Sequence, residues 1–334
     1  MSYLLTPLSA GALHLSNRLV MPPMATARAA QDGTVNDAIL DYYREKSAGG
    51  YLSLVIVEHS FVQQAGKASA NQMSVADDSV IEGLQALAAV IQGSGAKAVV
   101  QINHAGSAAD EKITGTAPVG PSAIANPRKG GIPHELTGAE IAAIVDAFAA
   151  AAGRVKAAGF DGVEIHSAHG YFLNQFFSPL TNRRTDRYGG NVLNRINLHL
   201  EVIAAVRAVV GRDYPLLLRL GAADFMENGA TIADSVIAAK AFEQAGVDIL
   251  DISGGFSGYV NPKSNDQGYF SGLSAAVRQA VKIPVILTGG ITDAKAAEEL
   301  LADGKADLIG VGRAVLQDSG WAKRAVEQFT LADA

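Results

Sequence analysis

The sequence predicts a single (β/α)8 barrel, the TIM-barrel architecture, and three observations carry that prediction. Short apolar, β-rich runs alternate with amphipathic stretches along the whole chain. No linker or low-complexity segment interrupts them, so residues 1–334 read as one domain. The 334 residues also suffice for a closed barrel, which takes roughly 250 and more with insertions. A doubly wound sheet is the competing arrangement. The regularity of the units and a glycine pair after the seventh strand favour closure.

The elements follow in chain order. Residues 11–15 alternate enough to form half of a small hairpin that plugs the far end of the barrel. Strands are predicted at residues 18–21, 52–57, 98–102, 162–165, 216–220, 248–252, 285–287 and 307–311. Val285, Ile286 and Leu287 are apolar throughout, the pattern of a strand buried on both faces. Helical patterns occupy residues 78–93, 140–158, 192–210, 232–245, 273–281 and 294–302. The Ala-rich one opens on Glu140 behind Thr137, a capping-box pattern that satisfies free amides of the first turn. Two connections are long, residues 103–136 after strand three and 167–190 after strand four. Loops beyond ~12–15 residues in a compact domain are usually functional or disordered. Both follow strands, which places them on the catalytic rim.

The chemistry concentrates where strand four ends. His166, His169 and Tyr171 crowd the point at which a buried strand gives way to a long polar loop. Neutral imidazoles can donate hydrogen bonds to a substrate oxygen, and a phenol can deliver a proton. A lone histidine is more often structural, but this spacing off a barrel strand reads as catalytic. The pair could instead be half of a metal site; Glu164, on the same side as His166, is its one acidic neighbour. The run Arg183-Arg184-Thr185-Asp186-Arg187 reads as a salt-bridged loop clamp, because its mixed charge suits structure better than substrate capture.

A second cluster closes the barrel. Strand seven runs into Gly289-Gly290 and strand eight into Gly312-Arg313, where barrels often cradle a phosphate on backbone amides. Glycine allows close approach of the backbone, and Arg313 can add a bidentate charge. The plain alternative is that these glycines only make tight turns. Arg219, ending strand five, reads either as a ligand-facing cation or as a buried ion-pair partner of Asp251 or Asp224.

Composition narrows the function. Hydrophobic residues make up 49% and charged residues 18%, a globular balance, and the net charge of −6 with no basic block argues against nucleic-acid or anionic-membrane partners. No cysteine is present, which excludes disulfides, thiolate metal sites and a cysteine acid or nucleophile. No apolar run approaches the ~20 residues that span a bilayer, and Met1–Pro7 does not resemble a signal peptide, so a cytoplasmic location is expected.

On these residues, together with Asn17-Arg18-Leu19-Val20-Met21-Pro22-Pro23-Met24 and Gln101-Ile102-Asn103-His104-Ala105-Gly106, the chain resembles the Old Yellow Enzyme family. These are FMN-dependent NAD(P)H oxidoreductases, and the likeness is nearly full length and closest to the short, single-domain bacterial ene-reductases. The resemblance implies non-covalent FMN with its phosphate at Gly289, Gly290, Gly312 and Arg313. It places Pro23, Met24 and Ala25 along the isoalloxazine edge, Gln101 on the pyrimidine and Arg219 near the N1/C2 carbonyl. It implies NADH or NADPH as reductant in a ping-pong cycle and an activated alkene, an α,β-unsaturated carbonyl or nitro compound, as acceptor. His166 and His169 would grip the acceptor oxygen, hydride would come from flavin N5 and the proton from Tyr171. The resemblance also admits a homo-oligomer, although no interface is legible.

Three departures stand out. Ala25 replaces the Thr or Cys usual in the family beside the flavin C4 carbonyl, which predicts a shifted flavin potential unless Thr26 or a water substitutes. Ala27 stands near a position that often carries an aromatic, which predicts a roomier pocket. His59 falls where a small residue is common beside the flavin, and the resemblance makes it either a cofactor contact, hydrogen-bonding near the pyrimidine ring, or a space-filling side chain. Other FMN barrels, such as dihydroorotate dehydrogenase-like enzymes, or a flavin-binding relative with negligible turnover, are the alternatives.

Overall fold

A computed structural model describes residues 2–332; residues 1, 333 and 334 of the expected single domain lie outside the described residues. Strands β1 (Leu19–Met21), β2 (Leu54–Phe61), β3 (Lys97–Asn103), β4 (Gly162–Ser167), β5 (Leu216–Gly221), β6 (Ile249–Ser253), β7 (Val285–Thr288) and β8 (Leu308–Gly310) form a closed barrel in sequence order. All neighbours pair in parallel, and Ile309 of β8 meets Leu19 of β1 to close the ring. Helices between the strands cover the outside, so the fold is a (β/α)8 TIM barrel.

Alternation along the strands builds two apolar surfaces from one run of residues. Val55, Val57, Val100 and Val163 belong to the large cluster under the helices, whereas Val20, Leu54, Ile56, Val99, Leu217, Ile249, Ile286 and Leu308 fill the interior. Ala10, Leu13 and Leu15 join that inner cluster from below. They come from an antiparallel hairpin, Leu8–Ala10 with Leu13–Leu15, which plugs the N-terminal end of the barrel. Its second strand starts at Leu13, not at residue 11, because Gly11 takes a left-handed φ of 57° and turns the chain.

Helix Gly138–Ala157 starts two residues earlier than expected, and the Thr137–Glu140 capping box is present. The helix expected over 192–210 is two segments, Val192–Arg195 and Asn197–Val210. Arg195 holds the first segment onto the preceding loop, donating to the carbonyls of Phe177 (2.7 Å) and Gly190 (2.7 Å). Arg184 clamps the two long loops together. It donates to Pro121 O at 2.9 Å and Leu136 O at 2.7 Å while pairing with Asp186 at 2.6 Å.

Asp224 ties three rim loops to one point. Its carboxylate accepts from Ser178 Oγ and Ala230 N, each at 2.6 Å, and from Phe256 N at 2.9 Å. Replacing one acceptor oxygen with an amide NH2 leaves a buried donor facing another donor. Asp224→Asn should therefore cost about 1–3 kcal/mol. Thermal unfolding followed by circular dichroism checks this, and an unchanged Tm would remove Asp224 as a hub.

Candidate active site

One step of two residues up each strand converts the apolar barrel interior into a polar layer. Leu217 is followed by Arg219, Ile249 by Asp251 and Val99 by Gln101, each pointing the same way by strand alternation. Glu164 and His166 stack in the same fashion on β4. Pairing registers set them side by side: Gln101 with Glu164, His166 with Arg219, and Arg219 with Asp251. The floor so formed is fully buried, with Glu164 and Asp251 at 0% exposure.

The floor is only partly satisfied. Gln101 Nε2 donates to Glu164 Oε1 at 2.7 Å. Arg219 Nε lies 3.0 Å from Asp251 Oδ2, an ion pair by distance, yet the two groups are not aligned as a hydrogen bond. Glu164 Oε2 and His166 Nδ1 also lack partners. Burial, then the charge of Asp251, lifts the Glu164 pKa well above the usual carboxylate range. Burial likewise raises Asp251, with Arg219 opposing it. The Arg219 pair with Asp251 was one of the two readings open from sequence. Arg219 also lines the cavity above.

That cavity, about 480 Å³, sits at the C-terminal mouth of the barrel, within the size range of small-molecule sites. The residues expected from the sequence to act in catalysis or to contact the cofactor all line it. Pro23, Met24 and Ala25 come from the loop after β1, His59 from β2, Gln101 from β3 and Arg219 from β5. His166, His169 and Tyr171 form one wall, and Gly289, Gly290, Gly312 and Arg313 the opposite end.

The histidine wall is held firmly. The His166 and His169 rings meet edge-on at 5.1 Å, and Tyr171 is 5.2 Å from His166. His169 has a φ of 61°, a left-handed conformation uncommon outside glycine. It is fixed by Arg128 Nη1 donating to its carbonyl at 2.8 Å and by Ser253 Oγ at 2.7 Å from its Nε2. Burial first, then the neighbouring ionisable groups (His169, His59 and Arg219 for His166; Arg219, Arg128 and His59 for His169), hold both imidazoles well below their ordinary pKa. They are therefore neutral at physiological pH. Burial raises the Tyr171 pKa, so its phenol keeps its proton.

At the other end, Gly290 has a φ of 68°. A Cβ there would stand 2.6 Å from the Tyr269 ring, and one on Gly289 would stand 2.8 Å from it. A Cβ on Gly312 would meet Met24 Sδ at 2.9 Å. Only glycine leaves this backbone open, which is what a phosphate cradle requires. With the glycine cradle, the exposed Arg313 beside it and the unpartnered polar atoms of the floor, the residues present fit a bound FMN.

Thr26, one of the two substitutes allowed for the side chain missing at Ala25, is engaged elsewhere: its Oγ1 and backbone N both donate to Glu58, at 2.6 and 2.7 Å. Glu58 is a buried anchor for this loop and was not singled out from the sequence. Arg128, Ser253, Tyr259 and Tyr269 also line the cavity unforeseen. Ser253 had a signal, since it follows Asp251 by the same two-residue step that yields Arg219. The other three lie on irregular loops without periodicity.

A parallel barrel with a buried polar layer and bare glycine turns after β7 and β8 has the layout of enzyme barrels that hold a phosphate-bearing ligand at the C-terminal mouth. The chain belongs to the NADH:flavin oxidoreductase / NADH oxidase family, an FMN-binding class of NAD(P)H-dependent oxidoreductases, whose family model matches residues 3–332. It is 41% identical over 323 residues to an NADH oxidase of Thermoanaerobacter brockii, covering 95% of this chain and 50% of that one. With an NADPH dehydrogenase of Bacillus licheniformis it shares 40% over 329 residues, 98% of this chain and 94% of the relative. The chain thus spans about half the length of some curated relatives and nearly all of others. The solved structure of an Old Yellow Enzyme homologue from Zymomonas mobilis superposes with a TM-score of 0.86 at 26% identity, over 97% of this chain and 92% of that one.

Proposed function

We propose that this protein uses NADH or NADPH to reduce the C=C bond of an activated alkene, with FMN as the resident cofactor. The observation that carries the reading is the wall of two neutral imidazoles beside a protonated phenol, over one cavity. FMN, when bound, supplies reversible hydride chemistry. The phosphate would be held by Gly289, Gly290, Gly312 and Arg313, the ring edge by Pro23, Met24 and Ala25, and the pyrimidine side by Gln101 and Arg219. His166 and His169 hydrogen-bond the carbonyl or nitro oxygen and draw electron density from the alkene, which makes its β-carbon electrophilic. Tyr171 delivers the proton to the α-carbon. A single cavity for nicotinamide and alkene implies that the two substrates bind in turn.

The test is the absorption spectrum of the purified protein, followed by anaerobic titration with NADH or NADPH and then 2-cyclohexenone. Flavin bands that bleach with nicotinamide and return with enone are expected. A colourless protein that also refuses added FMN would remove the cofactor assignment. Reoxidation by oxygen alone would move the activity to a different acceptor, a reading favoured by the relative named as an NADH oxidase.

A further inference from the structure

A third imidazole faces the same cavity and has no role in that reading. His59 projects from β2, and its ring centroid lies 5.2 Å from Tyr171 and 6.0 Å from His166. Its proton position follows from its neighbours. Ala68 N donates to Gln72 Oε1 at 2.6 Å, which turns the Gln72 amide NH2 towards His59. Gln72 Nε2 then donates to His59 O at 3.0 Å and to His59 Nδ1 at 2.8 Å. Asn103 Nδ2 points at the same nitrogen from 3.2 Å. Nδ1 is therefore an acceptor, so the proton of the neutral ring sits on Nε2. No acceptor among the described residues takes that N–H, and the residue lines the cavity. Burial, with Arg219 nearby, lowers the ring's pKa to about 4, which keeps it neutral at physiological pH.

His59, His166 and His169 thus form an arc of imidazoles, with Tyr171 against the first two. Among the described residues no group of three or more His, Asp or Glu side chains is placed to hold a metal ion. Two of these imidazoles suffice for one carbonyl oxygen. The donor beside them faces the same cavity and is left for a further acceptor.

We propose that His59 is a specificity-determining residue whose Nε2–H binds the second oxygen of a two-oxygen activating group. The favoured substrates are then nitroalkenes and, by the same geometry, alkenes conjugated to a carboxylate. This rests on the alkene-reductase reading of the cavity. His59 lies against the acceptor-gripping residues, which distinguishes this role from the cofactor contact expected of it from sequence.

The experiment compares 1-nitrocyclohexene with cyclohexene-1-carbaldehyde, which share a ring and differ in their activating oxygens. Binding to the oxidised, FMN-loaded protein is read from the shift of the flavin bands, without reductant. His59→Ala should weaken the nitro ligand about tenfold, the worth of one hydrogen bond, and leave the aldehyde within twofold. His59→Phe keeps the ring and loses the donor, so it should behave alike; His59→Gln, which retains an N–H, should recover most of the affinity. Equal weakening of both ligands, or of neither, overturns the proposal. So does a shifted flavin midpoint potential with unchanged ligand selectivity, which would make His59 a cofactor contact. If the wild type takes up FMN but binds neither ligand, it is the alkene-reductase reading that fails.

Discussion

Tyr171→Phe should leave reduction of the bound flavin by NAD(P)H within about twofold of wild type, yet slow reoxidation by 2-cyclohexenone by ~10²–10⁴-fold. The substitution keeps the ring that packs against His166 and His59, each at 5.2 Å, and removes only the hydroxyl. Reduction by nicotinamide needs no proton from this residue, whereas completing the alkane does. Stopped-flow absorbance at the flavin bands separates the two half-reactions. The pH dependence adds a second signature. Because burial raises the Tyr171 pKa above its ordinary value of 10, the donor is protonated at every pH below that. The wild-type oxidative half should therefore stay flat through neutral pH and fall only as pH rises past 10. Equal loss in both half-reactions would make Tyr171 a packing residue.

Much of this site was legible because barrel strands repeat one rule. Alternation puts every second residue inside, and the polar floor of the cavity stands one step above the apolar barrel interior. Arg219, Gln101, His166, Asp251 and Ser253 all obey it, although Gln101 and the flavin role of Arg219 came from the family resemblance, and Ser253 was not singled out. The glycine turns were legible because only glycine leaves a backbone bare for an anion. Contacts that depend on distant loops were not legible. Arg128 reaches the His169 carbonyl across 41 positions, and nothing periodic marks its loop. Thr26 looked free beside Ala25 until Glu58, 32 positions away, proved to hold its hydroxyl. The tautomer of His59 rests on Gln72 and Ala68, which no local pattern connects to it. Helix starts and breaks shifted by a few residues for a related reason: side chains such as Arg195 bond to loops whose course the sequence does not reveal.

The ion pair under the cavity should set the flavin potential. A cation facing the flavin stabilises its anionic reduced form, but Arg219 shares its charge with Asp251 at 3.0 Å. Neutralising the partner should release that charge. A unit charge about 5 Å from a redox centre is worth roughly 3 kcal/mol at an effective permittivity of 20. For a two-electron couple this is on the order of 70 mV, an upper bound here. Asp251→Asn should raise the midpoint potential of the FMN-loaded protein towards that limit, and Arg219→Met should lower it. The second variant also leaves Asp251 buried without its cation, which should cost about 3–5 kcal/mol of stability. Burial already raises the Asp251 pKa, and Arg219 is what opposes it, so the variant's carboxyl holds its proton to higher pH than in the unfolded chain. A raised folded pKa gives stability that is present at low pH and lost as pH rises through it. Arg219→Met should therefore unfold more readily at pH 8 than at pH 5, relative to wild type. Redox titration and thermal melts at the two pH values check both claims. A lowered potential in Arg219→Met with no change in Asp251→Asn would mean that the carboxylate does not attenuate the cation, and that its place beside Arg219 serves packing alone.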